Sequence, residues 1–169
     1  MNTTMPEPDG LAEDPSAFEP EPTVPDYIAM EASHRSLSVS LRPANKADLF
    51  AILAGAGIAR VTVEFDGCGD SGQIESVEAV GTDGTPCALP VTSLSIRKAV
   101  WGDPEPQHHD MTVSDAIETF AYDLLGDTHQ GWEINDGAYG TFVFDVAAGA
   151  ITLDCNLRFT DAEQFLHTF

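Results

Sequence analysis

The chain has 169 residues, 43% of them hydrophobic, which is enough for a single domain with a true core. Its 28 acidic residues against 7 basic ones give a formal net charge of -21. This excludes direct nucleic-acid binding, which depends on Lys and Arg displacing counterions from phosphates. No apolar run approaches the roughly 18 to 20 residues of a membrane span, and the first residues lack the basic and apolar regions of a secretory signal, so a cytoplasmic protein is expected.

Residues 1–35 contain six of the eleven prolines and eight acids against one arginine, Arg35. Such a stretch lacks the apolar surface to offset ordering entropy, so it reads as a disordered acidic leader, with 36–169 as one folded domain. Within the leader, Phe18, Tyr27, Ile28 and Met30 would also suit a short docking segment. The alternation from Ser36 to Leu41 predicts a short strand. Pro43 and Asn45 look like a helix start, followed by Leu49, Ile52, Leu53 and Ala56 at helical spacing and ended by Gly55-Ala-Gly57.

Arg60 to Asp66 alternates cleanly, with Val61, Val63 and Phe65 on one face and Thr62, Glu64 and Asp66 on the other. A glycine loop leads into Gln73 to Val80, the returning strand of a hairpin, and Thr82 to Pro86 forms a turn. Val91 to Val100 reads as another strand, and Gly102 to His109 as a polar loop. Thr112 with Asp115 marks a helix N-terminus. That helix buries Val113, Ile117, Phe120, Ala121 and Leu124 and leaves Asp115, Glu118, Asp123 and Asp127 on its wet side. Strands around 138–146 and 150–157 close the chain, with Phe142, Phe144, Val146, Ile151, Leu153 and Cys155 inward. Asp145, Asp154, Asn156 and Arg158 are expected to face outward. Helices separated by hairpins do not make parallel βαβ units. The expected class is α+β, an antiparallel sheet with two main helices packed on one face.

Two segments are richer than simple turns require: Phe65-Asp-Gly-Cys-Gly-Asp-Ser-Gly-Gln-Ile-Glu75 and His129-Gln-Gly-Trp-Glu-Ile-Asn-Asp-Gly-Ala-Tyr-Gly140. Glycine allows positive φ and close backbone approach, so such loops can aim backbone groups at a ligand. Their carboxylates could hold a hard divalent cation, with Asp66, Asp70 and Glu75 as the leading ligands and Glu133 and Asp136 beside them, although the EF-hand spacing is absent. In that reading a metal-dependent enzyme would use His129 as base. Trp132 and Tyr139 could instead anchor a protein partner. The plainest alternative is a wide hairpin loop for the first segment and a tight turn at Asn135-Asp-Gly137 for the second. Gly69-Asp-Ser-Gly72 is superficially like a serine-protease nucleophile segment, without a suitably placed triad histidine. His129 near a helix end suits a cap, and the adjacent His108 and His109 point apart and chelate poorly. Cys68, Cys87 and Cys155 form neither a CxxC pair nor a disulfide framework.

These two loops, with Ile151-Thr-Leu-Asp-Cys-Asn-Leu-Arg-Phe159 and the ending His167-Thr-Phe169, resemble a family of uncharacterised bacterial proteins found on chromosomes and mobile elements. The resemblance spans roughly residues 43 to 169, implies no activity and supplies no catalytic residue. Ile134 and Leu157 stand where the family pattern carries polar or charged residues.

Between Ala99 and Leu157 there is no Lys or Arg, against eleven acids. That stretch points to a binding protein presenting carboxylates to a basic partner, ahead of the small metal-dependent enzyme kept as the alternative. The partner expected is nucleic-acid-handling machinery, which a carboxylate surface would inhibit as a DNA or RNA mimic. The residues assigned to that surface are Asp115, Glu118, Asp123, Asp127, Trp132, Glu133, Asp136 and Tyr139. A cofactor is not expected, a divalent cation being the alternative. The blander explanations are a solubilising coat on an accessory module and adaptation to high salt.

Overall fold

The structure, a computed structural model, describes residues 26–169. It opens on helix α1, Tyr27–Gly55, whose N-cap Asp26 accepts from the backbone N–H groups of Ile28 and Ala29, each at 3.2 Å. Of the acidic leader expected to residue 35, positions 1–25 lie outside the described residues, and the remainder is helical. The strand expected at Ser36 to Leu41 is helical too, and Pro43 lies inside α1 instead of starting it. Helical periodicity wins here because Met30, His34, Leu37, Leu41, Asn45 and Leu49 recur at three- and four-residue intervals and are all at least half-buried.

β1, Ile58–Gly81, is one extended run of 24 residues, which would reach about 80 Å if straight. Yet Thr82 N–H donates to Gly57 O at 2.9 Å, and Ser76 Oγ donates to Glu64 Oε2 at 3.2 Å. The run therefore folds back about residues 69–70, and the expected hairpin is present as two arms of one element. The turn after it is as expected, with Thr85 N–H donating to Asp83 Oδ1 at 3.0 Å. A two-residue strand β2, Pro86–Cys87, pairs with Val80 and Ala79.

β3, Ser93–Lys98, pairs antiparallel with β4, Gln107–Thr112, as a separate ribbon. The second half of the expected polar loop is thus strand, with His108 opposite Arg97 and His109 opposite Ile96. Asn45, buried in α1, docks this ribbon: its Nδ2 donates to Arg97 O at 2.8 Å and its Oδ1 accepts from Arg97 N–H at 3.0 Å. Helix α2, Val113–Thr128, follows a full capping box made by Thr112 and Asp115. Its buried side is the expected stripe, with Leu125 fully covered and Leu124 half-covered.

β5, Ile134–Asp145, and β6, Ala150–Leu157, complete a four-stranded antiparallel sheet in the order β2-β1-β5-β6. β5 begins earlier than expected. The Asn135-Asp-Gly137 segment is no turn: Asn135 and Gly137 keep positive φ within the strand, where it meets a register shift between Gly67 and Gly69. The inner face carries Val61, Val63, Phe65, Phe142 and Phe144, covered by Leu49, Phe50 and Leu53 of α1 and by the stripe of α2. The fold is α+β, with an antiparallel sheet and two main helices. Pairing by register leaves Glu64, Asp66, Thr141, Tyr139, Asp145 and Asp154 on the outer face. β6 is an outer strand, and no strand among the described residues pairs with its far edge. No helix among these residues is long and apolar enough to cross a membrane.

Candidate functional site

The fold brings the two glycine segments into contact, and the contact is a packing device. Trp132 is only 8% exposed and lies over a slot in the β1 hairpin made by the missing side chains of Gly67 and Gly72. A Cβ at Gly67 would fall 2.7 Å from Trp132 Cζ3, and one at Gly72 would fall 2.3 Å from Trp132 Cη2. Phe65 meets the indole edge-on at a centroid distance of 5.5 Å, and Tyr122 lies 6.4 Å away. Tyr122 Oη also accepts from Ile74 N–H at 3.2 Å, tying α2 to the hairpin. Gly137 serves close strand approach: a Cβ there would lie 1.8 Å from Gly67 O. Trp132 is therefore a core residue and not an exposed anchor, whereas Tyr139 is 45% exposed, with the Arg158 guanidinium 4.6 Å from its ring centre. One Glu133 carboxylate oxygen, Oε2, is buried without a hydrogen-bond partner among the described residues.

The three leading metal ligands do not converge. Asp66 receives Nη1 and Nη2 of Arg158 at 3.0 and 2.6 Å, a pairing that holds its carboxyl below the usual range. Glu75 Oε1 accepts from Gln73 Nε2 at 2.8 Å, and Asp70 sits at the exposed hairpin turn. Among the described residues no group of three His, Cys, Asp or Glu side chains could hold a metal ion. His129 is the C-cap of α2, with Nδ1 3.0 Å from Thr128 Oγ1, which fits the capping alternative. Cys155 is half-buried against the core, and burial pushes its thiol pKa up.

Three of the six acids assigned to partner binding have work inside the molecule. Asp115 closes the α2 capping box, and Asp136 accepts from Thr160 N–H and Oγ1 at 2.6 and 2.7 Å, holding down the chain after β6. Asp127 pairs with Arg42 of α1, the cation that α2 itself lacks. Asp123 and Asp127 face a cavity of about 590 Å³ between α1 and α2. Desolvation there raises the Asp123 carboxyl pKa, Lys98 and Arg42 oppose the rise and Asp127 adds to it. Glu118 is half-covered on the same helix.

The cation-free stretch does not form one patch. α2 lies over the inner face of the sheet, while Asp145 and Asp154 stand on the outer face with Glu64 and Glu78. Glu64, Thr141 and Asp154 form one cross-strand row. Sequence reasoning missed these outer-face acids as a group because Glu64 and Asp154 lie 90 positions apart in the chain. It also missed the cations that line the cavity, whose one legible sign is the seven-residue interval from Arg35 to Arg42 on a single helix.

A family model described as "Family of unknown function (DUF6878)" matches residues 41–169, taking in the second half of α1, both sheets and α2. No curated protein and no solved structure matches the chain.

Proposed function

The chain belongs to this family of unknown function, which assigns it no activity, and we propose that it is an acidic binding protein that presents carboxylates to a basic protein of the nucleic-acid-handling class. The observation that carries this reading is how few acids are neutralised. Among the described residues only Asp48, Asp66 and Asp127 are in ion pairs. Carboxylates left without a counter-charge on a rigid strand cost little to reorganise when a cationic partner arrives.

The outer sheet face suits the role better than α2, whose acids apart from Glu118 cap, pair or line the cavity. On a strand, alternate residues are about 6.6 to 6.8 Å apart, and neighbouring strands about 4.8 Å. Glu64, Glu78 and Asp154 are held at such intervals among hydroxyl groups, while Asp145 stands opposite Arg60 at the end of the face. Duplex DNA is far denser, at about one charge per 1.7 Å of axis. A face this sparse would meet part of a basic groove and would not replace a whole duplex. The match would act first on association rate and would weaken with salt.

Biolayer interferometry against a panel of purified DNA- and RNA-binding proteins tests the reading. The expected result is a binder that duplex DNA displaces and that loses about tenfold or more in affinity between roughly 50 and 200 mM salt. The combined E64Q, E78Q, D145N and D154N variant should lose that binding while keeping the parent's circular dichroism. A panel without any salt-sensitive, duplex-displaceable binder would overturn the proposal. So would a binder indifferent to this variant.

A further inference from the structure

The chain has seven Lys and Arg residues, and four of them, Arg35, Arg42, Arg97 and Lys98, line the cavity between α1 and α2. Gathering more than half of a scarce residue type into one concavity brings the local charge close to balance there, against an otherwise strongly negative surface. We propose that this cavity binds a small organic anion carrying a ring, a phosphate monoester or carboxylate whose charge meets Arg35 and Lys98 and whose ring lies against Trp101 and His34.

Arg35 and Arg42 are two helical turns apart on one side of α1, and β3 supplies Arg97 and Lys98 from the facing wall. The four cations are not equivalent. Arg42 is held by Asp127, and Arg97 is held by Asp48 at 2.9 Å. Among the described residues neither Arg35 nor Lys98 is in an ion pair, although Lys98 also acts on the Asp123 carboxylate across the cavity. The fixed pairs orient the wall, and Arg35 and Lys98 supply the attraction.

The remaining lining says what else the ligand carries. Trp101 is 48% exposed, and its ring centre lies 5.6 Å from that of His34 at an interplanar angle of 47°. Ile96, Phe120 and Val39 add apolar wall. A volume of about 590 Å³ fits a drug-sized molecule, and pockets for such ligands combine apolar walls with a few placed charges. Polymeric anions are disfavoured, because the negative field of the rest of the molecule repels a long chain of charge while the cavity satisfies one or two. Glu31, Asp123 and the Arg42-paired Asp127 also line the cavity, so it selects against excess charge from within. This inference stands apart from the partner reading, which concerns the opposite face of the sheet.

Titration calorimetry and tryptophan fluorescence test it, using a nucleoside 5′-monophosphate, the matching nucleoside, an aryl carboxylate and inorganic phosphate. A ring-bearing anion should bind and change the Trp101 emission, leaving that of buried Trp132 unmoved, and Trp101→Phe should abolish the signal. Whether the phosphate or the carboxylate binds more tightly identifies the anionic head group. Arg35→Gln should weaken binding about tenfold with an unchanged melting curve, and Lys98→Gln should weaken it similarly with a somewhat lower melting point, since Lys98 offsets part of the Asp123 charge. Asp123→Asn should tighten it by removing one opposing charge from the lining. Absence of binding by both ring-bearing anions at millimolar concentration would overturn the proposal. Binding that both charge variants leave intact would do the same, as would equal affinity for inorganic phosphate or for the uncharged nucleoside.

Discussion

Replacing Gly72 by alanine tests whether the two glycine segments exist to seat Trp132. The new methyl would lie 2.3 Å from Trp132 Cη2 and 2.5 Å from Cζ3. Carbon atoms settle at about 3.5 to 4.0 Å, so something must move by about 1.2 Å. The indole cannot swing aside cheaply, because Phe65 and Tyr122 flank it. Overpacking of this kind costs about 1 to 3 kcal/mol, and the lost freedom of glycine in the unfolded chain offsets about 0.4 to 1 kcal/mol. The net expectation is about 1 to 2 kcal/mol of destabilisation, or roughly 2 to 8 °C in Tm for a chain of this size. Urea unfolding followed by far-ultraviolet circular dichroism reads the change as a shift in midpoint at constant slope. The decisive control is the Trp132→Leu background, which removes the ring atoms that close the slot. There Gly72→Ala should cost less than half as much, or become stabilising through the unfolded chain. Equal cost in both backgrounds would refute the seating argument, because coupled neighbours must fail to add.

Thr112→Ala removes the α2 cap and should cost about 1 kcal/mol in the same assay, with Thr112→Ser close to the parent. Asn45→Ala leaves Arg97 N–H and C=O without their helix partner and should cost about 2 kcal/mol or more, with faster amide exchange across the β3–β4 ribbon. The Asp66 carboxyl is lowered from its ordinary value of 3.8 by the Arg158 hydrogen bond, so its stabilising effect is present above that value and is lost as pH falls through the lower folded one. Urea midpoints taken down to about pH 2.5 should therefore drop more steeply below about pH 4 for the parent than for Asp66→Asn. Asp123 carries the opposite sign: its raised pKa makes the charged form unfavourable in the folded state at neutral pH. Asp123→Asn should raise the urea midpoint at pH 7 and have little effect near pH 3.

The central and C-terminal elements were legible because each carried a local signal. The capping box fixed the start of α2, strict alternation exposed Val61, Val63 and Phe65, and the paired runs at 138–146 and 150–157 lay close to β5 and β6. The first half of α1 was hidden by two competing signals. Ser36 to Leu41 also alternates with period two, and Pro43 reads as a start because its missing N–H normally ends a helix. Packing on both sides of the proline overrides that preference. The acids of the second glycine segment and of α2 were found as residues, but their employment was not. Asp127 needs Arg42, 85 positions away, and Asp136 needs Thr160, so no spacing rule within one element could reveal them. Trp132 looked like an anchor because its partners are two absent side chains, which leave no mark beyond glycine itself.

The sheet ends very differently on its two sides. On one, a two-residue strand bearing a proline offers almost nothing to pair with; on the other, eight residues of β6 leave backbone donors and acceptors open. An open strand invites a second copy to zip alongside it. At neutral pH the negative charge of two such molecules opposes that approach. Near the isoelectric point of about 4.1 that mutual exclusion vanishes. Acidity in this protein is then also a guard against self-assembly, which acidification or heavy salt should weaken.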